Sequence, residues 1–223
     1  LYSRILYNNA LAYNHLGRYD KALENLKNLE KESRNLRQSK VLDILLLKAS
    51  IYCSEEDYGA AKEVYEKIIE ESHKDQLNIK ALAYFKLGDL WLEKYGKITV
   101  AMEYLQEAVK IQLEIKDYDL SNTYLVLGRC YGAVNDYENE SIFLIKALAE
   151  ANRWENHRSL IHIYKEILEF YIRNDRERAV DDLLVEIKEL INRDVYNREE
   201  INDLLIKVTC YYLSKNNQKV SLY

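Results

Sequence analysis

The stretch NNALAYNHLGRYDKALENL, Asn8 to Leu26, holds two short helical patterns hinged at one glycine. Ala10 and Tyr13 lie before Gly17; Tyr19, Ala22 and Leu26 resume beyond it at helical spacing. Whether this unit recurs decides the fold. It returns as ASIYCSEEDYGAAKEVYEKI from Ala49, KLGDLWLEKYGKITVAMEYLQEA from Lys86 and VLGRCYGAVNDYENESIFLIKA from Val126. ILEFYIRNDRERAVDDLLVEI from Ile167 follows, and KVTCYYLSKNN from Lys207 is a truncated copy. The central aromatic falls at Tyr13, Tyr52, Trp91, Tyr131, Tyr171 and Tyr211, at separations of 39, 39, 40, 40 and 40 residues. Six landmarks at one period mark a stack of repeats.

Each unit reads as two helices, A and B. In helix A of the third unit Tyr84, Leu87, Gly88 and Trp91 form the i, i+3, i+4, i+7 stripe of a buried face, and Tyr124, Leu127, Gly128 and Tyr131 repeat it in the fourth. The small residue in that stripe (Ala10, Ala49, Gly88, Gly128) lets the partner helix approach closely. Helix B carries its own stripe, as in Ala22, Leu26, Leu29 and in Ala61, Tyr65, Ile68. Asp20, Asp57 and Asp136 stand at the A-to-B turns, where a carboxylate satisfies free amides and suits the helix dipole. Asn197 with Glu200 reads as a capping pair before the last helix.

Composition agrees. The 223 residues include no proline and only six glycines, which favours helices throughout. The net charge of −5, with both signs alternating along the chain, argues against nucleic-acid binding by this piece. Cys53, Cys130 and Cys210 form neither a disulfide framework nor a metal spacing, and point to a reducing, cytoplasmic setting. No apolar run approaches the ~20 residues of a membrane span. No phosphate loop, nucleophile elbow or metal cluster stands out, so the expectation is a non-enzymatic protein without cofactor or metal. His157 and His162 are five apart, a poor spacing for shared ligation on a helix. Because Leu1 already sits inside a helical pattern, a part lying upstream is expected.

The order "aromatic, two residues, Leu-Gly, two residues, Tyr, then Gly-x-Tyr-x-x-Ala" resembles the tetratricopeptide repeat, best through Tyr13, Gly17, Tyr19 and Ala22. The resemblance implies an all-α, right-handed superhelix, an α-solenoid of helix pairs. Its repeats run 1–38, 39–77, 78–117, 118–156 and 157–196, with a final helix 197–223, as one domain. There are departures: Glu140 replaces the usual Ala of helix B, Leu168 and Val208 replace the small residue of helix A, and the third unit has one extra residue near Tyr95–Lys97. The period also exceeds the ~34 residues of ordinary units. With the abundant Tyr and Asn, that longer period resembles the peptide-sensing repeat domains of the RRNPP quorum-sensing regulators of Gram-positive bacteria. This second resemblance implies an upstream effector domain, such as a DNA-binding helix-turn-helix, a short peptide held on the concave face, and often a homodimer.

In such a stack helix A lines the inner surface. Side chains of helix A turned away from helix B are therefore the candidates: Asn14, Ser50, Phe85, Asp89, Asn122, Leu125, Arg129, Lys165, Glu169 and Asn202. An extended peptide needs both donors and acceptors on burial, and Asn supplies both, which suits Asn14, Asn122 and Asn202 as clamps. Arg129 offers a fork for a carboxylate, and Phe85 with Leu125 a bed for an apolar side chain. For each taken singly, the plainer alternative is a solvated side chain on a groove wall. The carboxylate clamp of chaperone-binding repeats, a Lys with an Asn four residues on, is not matched: Tyr7 and Leu11, or Lys165 and Glu169, stand there. Two rivals to a peptide sensor remain. One is a constitutive scaffold for protein partners; the other is the sensor part of a Rap-like phosphatase effector.

Overall fold

A computed structural model describes residues 2–32, 38–191 and 198–215, all helices and the turns between them. Asn197 and the side chain of Glu200 lie outside the described residues, and with them the expected capping pair. The chain divides into two compact units. Unit 1, Leu1–Asp117, holds α1 (Tyr2–His15), α2 (Tyr19–Glu32), α3 (Gln38–Ser54), α4 (Tyr58–Glu71), α5 (Leu77–Glu93) and α6 (Ile98–Ile115). Unit 2, Tyr118–Tyr223, holds α7 (Leu120–Ala133), α8 (Tyr137–Arg153), α9 (His157–Arg173), α10 (Glu177–Ile191) and α11 (Arg198–Ser214). Odd-numbered helices are the A members and even-numbered ones the B members. Within each unit sequential helices from α1 to α6 and from α7 to α10 pack as neighbours, and successive A helices also touch: α1 with α3, α3 with α5, α7 with α9, α9 with α11.

The core explains why α3 reads as a nearly unbroken apolar run. Ile44, Leu47 and Ile51 on one side join Leu6, Ala10, Ala22 and Leu26 in a first cluster. Leu42, Leu45 and Ala49 on the other join Ala61, Tyr65, Ile68, Ala83 and Leu87 in a second. A helix in the middle of a stack is covered from two sides, so its apolar stripe widens beyond that of a surface helix.

Every A-to-B turn places one residue in the left-handed region: Gly17 (φ 66°), Glu56 (63°), Gly96 (61°), Asn135 (59°) and Asp175 (52°). The next residue donates its N–H back to the carbonyl of the landmark aromatic. Arg18 bonds Tyr13 at 2.9 Å, Asp57 bonds Tyr52 at 2.9 Å, Asp136 bonds Tyr131 at 3.0 Å and Arg176 bonds Tyr171 at 2.9 Å. This is the six-to-one bond of a Schellman C-cap. In the third unit Lys97 reaches the Trp91 carbonyl at 3.0 Å, and the wider ring absorbs the extra residue.

Asp57 and Asp136 then cap helix B, accepting from Ala60 N at 3.0 Å and Asn139 N at 3.1 Å. Asp20 instead lies inside the first turn of α2, where its charge faces the dipole. Five of the six landmark aromatics are only half-buried, Tyr211 being the buried one. Trp91 rests on Tyr95 (centroids 4.7 Å apart), and Tyr131 stacks on Phe143 (5.2 Å).

Candidate functional site

Among the described residues, cavities form along A helices in both units. In unit 1 a cavity of about 460 Å³ runs between α3 and α5, lined in part by Ser50, Cys53, Tyr65, Leu82, Lys86 and Asp89. Ser50 is exposed, and its carbonyl accepts a hydrogen bond from Ser54 Oγ at 3.0 Å. Burial pushes both the Cys53 thiol and the Tyr65 phenol up, and their Sγ and Oη atoms lie 3.9 Å apart. Phe85 does not line this cavity; it is half-buried with the Lys86 ammonium 5.5 Å from its ring centroid. On α1, Asn14 is half-buried and its Oδ1 is buried with no hydrogen-bond partner.

In unit 2 a larger cavity, about 780 Å³, lies along α7, α9 and α11. Arg129, Glu166, Glu169, Arg173, Lys207 and Glu140 give it charge, while Ile172, Ile206 and Cys210 add apolar wall. The charges pair across helices. Arg173 Nη2 donates to Glu140 Oε1 at 2.6 Å, Arg129 Nε lies 3.5 Å from Glu166 Oε1, and Lys207 donates to Glu169. Burial pushes the Glu166 carboxyl up, against the opposing pull of Arg129.

Of the residues singled out from sequence, Arg129 and Glu169 meet in this groove. Asn122 does not line it: its Nδ2 donates to Asp119 Oδ1 at 3.3 Å and its Oδ1 accepts from Ser159 Oγ at 2.9 Å, tying α7 to α9. Leu125 is buried at 9% exposure, Lys165 is half-buried off the groove, and Asn202 is exposed off it. Tyr212 of α11 is fully buried and donates to Asp181.

The residues sequence reasoning missed are Glu166, Arg173, Lys207 and Glu140, the last noted only as a departure from the repeat pattern. A signal for such links exists. Bonded partners on neighbouring A helices stand 37 and 38 residues apart, just under one period.

Glu140 shows how the departure is accommodated. It occupies the buried alanine place of helix B at 4% exposure. A Cβ on Gly132 of α7 would stand 2.7 Å from Glu140 Oε1 and 3.1 Å from Oε2, so glycine there makes room for the carboxylate. Its Oε2 is buried without a hydrogen-bond partner.

A tetratricopeptide repeat family model matches residues 42–73, the α3–α4 pair. None of the curated protein sequences matches the chain. Among solved structures, a signal transduction ATPase with a tetratricopeptide repeat sensor from Pyrococcus horikoshii superposes with TM-score 0.79 at 19% identity, over 97% of this chain and 34% of that one. Aspartyl phosphate phosphatase F from Bacillus subtilis gives 0.72 at 15%, over 99% and 57%. A Rap protein complexed with competence and sporulation factor gives 0.69 at 14%, over 98% and 61%. The chain thus spans between about a third and three fifths of these proteins. At such identities the likeness shows the fold, a tetratricopeptide-type α-solenoid. No helix among the described residues is long and apolar enough to cross a membrane.

Proposed function

We propose that this tetratricopeptide-type repeat domain, an interaction architecture, recognises a short peptide along its A helices. We read it as the cytoplasmic sensor part of an RRNPP-type bacterial regulator. The observation that carries the reading is the unit 2 cavity. At about 780 Å³ it has room for several side chains of an extended ligand. Its wall alternates apolar positions with charged groups, which an extended backbone and its side chains both require. Likeness to a Rap protein solved with a bound signalling factor, and to a repeat domain described as a sensor, supports the same reading.

The switch is a population shift. A peptide contacting several A helices at once favours one arrangement of the repeats, and an effector part joined to them responds.

Native mass spectrometry of the chain, before and after incubation with peptide fractions from spent culture medium, tests this. The expected result is retention of a short peptide by the parent chain and its loss in Cys210→Trp. Cys210 is exposed and lines the cavity, so the indole fills the groove without entering the core. A chain that stays bare, or a peptide retained equally by both proteins, removes the reading.

A further inference from the structure

We infer that the unit 2 groove is an apolar anchoring subsite, in which a large hydrophobic side chain of the ligand (Leu, Ile, Met or Phe) packs on Ile206 and Cys210 of α11 and Ile172 of α9. The inference rests on the peptide-binding reading above and names the ligand chemistry at the same site.

The wall on α11 departs from the repeat plan. In α3, α5, α7 and α9 the residue just before the landmark aromatic is Ile51, Leu90, Cys130 or Phe170, and each is buried. The same place in α11 is Cys210, which is exposed. α11 instead turns Leu204, Val208, Tyr211 and Tyr212 into the fold, where the two phenols bond Asp175 and Asp181. That leaves Ile206, Cys210 and Leu213 as an exposed stripe at i, i+4 and i+7. Ile206 is 59% exposed, yet it stands in the wall of a cavity of about 780 Å³, which Cys210 and Ile172 also line. Leu213 lies outside that cavity, so only Ile206 and Cys210 of the stripe can grip an inserted side chain. An apolar wall left wet inside a concavity gains when an apolar group displaces that water.

The charges of the groove point the same way. Arg129, Arg173 and Lys207 pair with Glu166, Glu140 and Glu169, three cations with three carboxylates. A charged ligand group of either sign has an ion pair to break before it forms one, and the exchange returns little. An apolar side chain breaks none of them. The paired groups are left as a polar rim around the anchor.

The test uses the whole chain and a randomised hexapeptide pool, the retained fraction being sequenced by mass spectrometry. The expected result is roughly tenfold enrichment of Leu, Ile, Met and Phe over the pool, as covering one such side chain supports. Ile206→Ser should lose that enrichment, and because the side chain is exposed the substitution leaves the fold standing. Leu213→Ser, equally exposed but outside the cavity, should keep it. An enrichment that both variants keep, or that both lose, overturns the subsite, since the groove then has no part in the preference that the rest of the stripe lacks. Dimerisation of the peptide-free chain, abolished by Ile206→Ser, assigns the stripe to a second copy and overturns it as well. Peptides retained without apolar preference overturn the subsite and leave the peptide-binding reading standing. No retained peptide at all overturns both.

Discussion

The α5–α6 pair of unit 1 and the α7–α8 pair of unit 2 are built on one plan, and among the buried places where they differ one exchanges an alanine for a charge. On helix B that place holds Ala101 in one pair, at 0% exposure, and Glu140 in the other, at 4%. Around Ala101 the helices close tightly: a Cβ on Gly88 would stand 2.7 Å from Leu105 Cγ and 3.1 Å from the Ala101 carbonyl oxygen. Around Glu140 the contact is looser. A Cβ on Gly128 would stand 3.3 Å from Leu144 Cδ2, and Gly132 supplies the room the carboxylate needs. A repeat thus takes up a buried charge when two neighbours change with it. One is a glycine that clears space, and the other is Arg173, reaching from the next helix with the counter-charge. Glu140 and Gly132 both line the unit 2 groove.

The largest effect expected from this comparison is at Arg173. Arg173→Ala leaves Glu140 buried without its cation and should cost about 2–3 kcal/mol, somewhat below the usual figure for a broken buried pair because the arginine is partly exposed. Glu140→Ala, which restores the alanine of the other pair, should cost about 1 kcal/mol or less, since Arg173, 45% exposed, can turn to water and no buried charge is left unpaired. Urea unfolding of both single variants and the double variant closes the cycle. Coupling below about 0.5 kcal/mol would mean that Glu140 is carried by something other than Arg173.

The next effect compares the two seams. Gly88→Ala should destabilise by about 1–2 kcal/mol, because the Leu105 side chain can yield but the Ala101 carbonyl cannot. Gly128→Ala meets only the flexible end of Leu144 at close range and should cost under about 1 kcal/mol. Equal losses in thermal or urea unfolding would break the claim that α5 and α6 approach more closely than α7 and α8.

The fold was largely legible because its signals are local. Period, helix pairs and turns follow from the spacing of Tyr13, Tyr52 and their successors, whose carbonyls receive the turn bonds in the structure. The extra residue near Tyr95–Lys97 could be read from a break in that spacing, and it indeed lies in the turn closed by Lys97 on Trp91. The groove was legible only in part, because what fills it depends on contacts made one repeat away. From the sequence Asn122 reads as a clamp because an amide both donates and accepts. That same property lets it join Asp119 to Ser159 inside the fold. Leu125 has the spacing of the inner face but is buried, since a helix flanked by two others has less free surface than an isolated wheel suggests. Glu166 and Arg129 look unremarkable singly. Their meaning lies in facing each other from neighbouring helices, which no helical period within one repeat can show.

The smallest effect concerns Glu166 and tests whether the polar groove carries an electrostatic cost that the apolar seam does not. Its carboxyl is held above the ordinary 4.5 chiefly by burial, with Arg129 pulling the other way. The native state therefore holds this proton more tightly than the unfolded chain does. Between the ordinary value and the raised one the native state binds more protons, and stability falls as pH rises through that window. Above it the cost is complete; below pH 4.5 it is absent. Glu166→Gln removes the ionisation, so at pH 7 the variant should be the more stable protein. The margin should be under about 1 kcal/mol, because water still reaches the side chain and screens it. The two stability curves should converge on acidification toward pH 4.5. Lys86 stands at the matching register of unit 1 and is exposed, so Lys86→Gln should leave the shape of the curve unchanged over the same range. A gap that stays constant with pH would show that the gain in Glu166→Gln comes from packing. No gain at pH 7 would show that Arg129 fully offsets the burial of the acid.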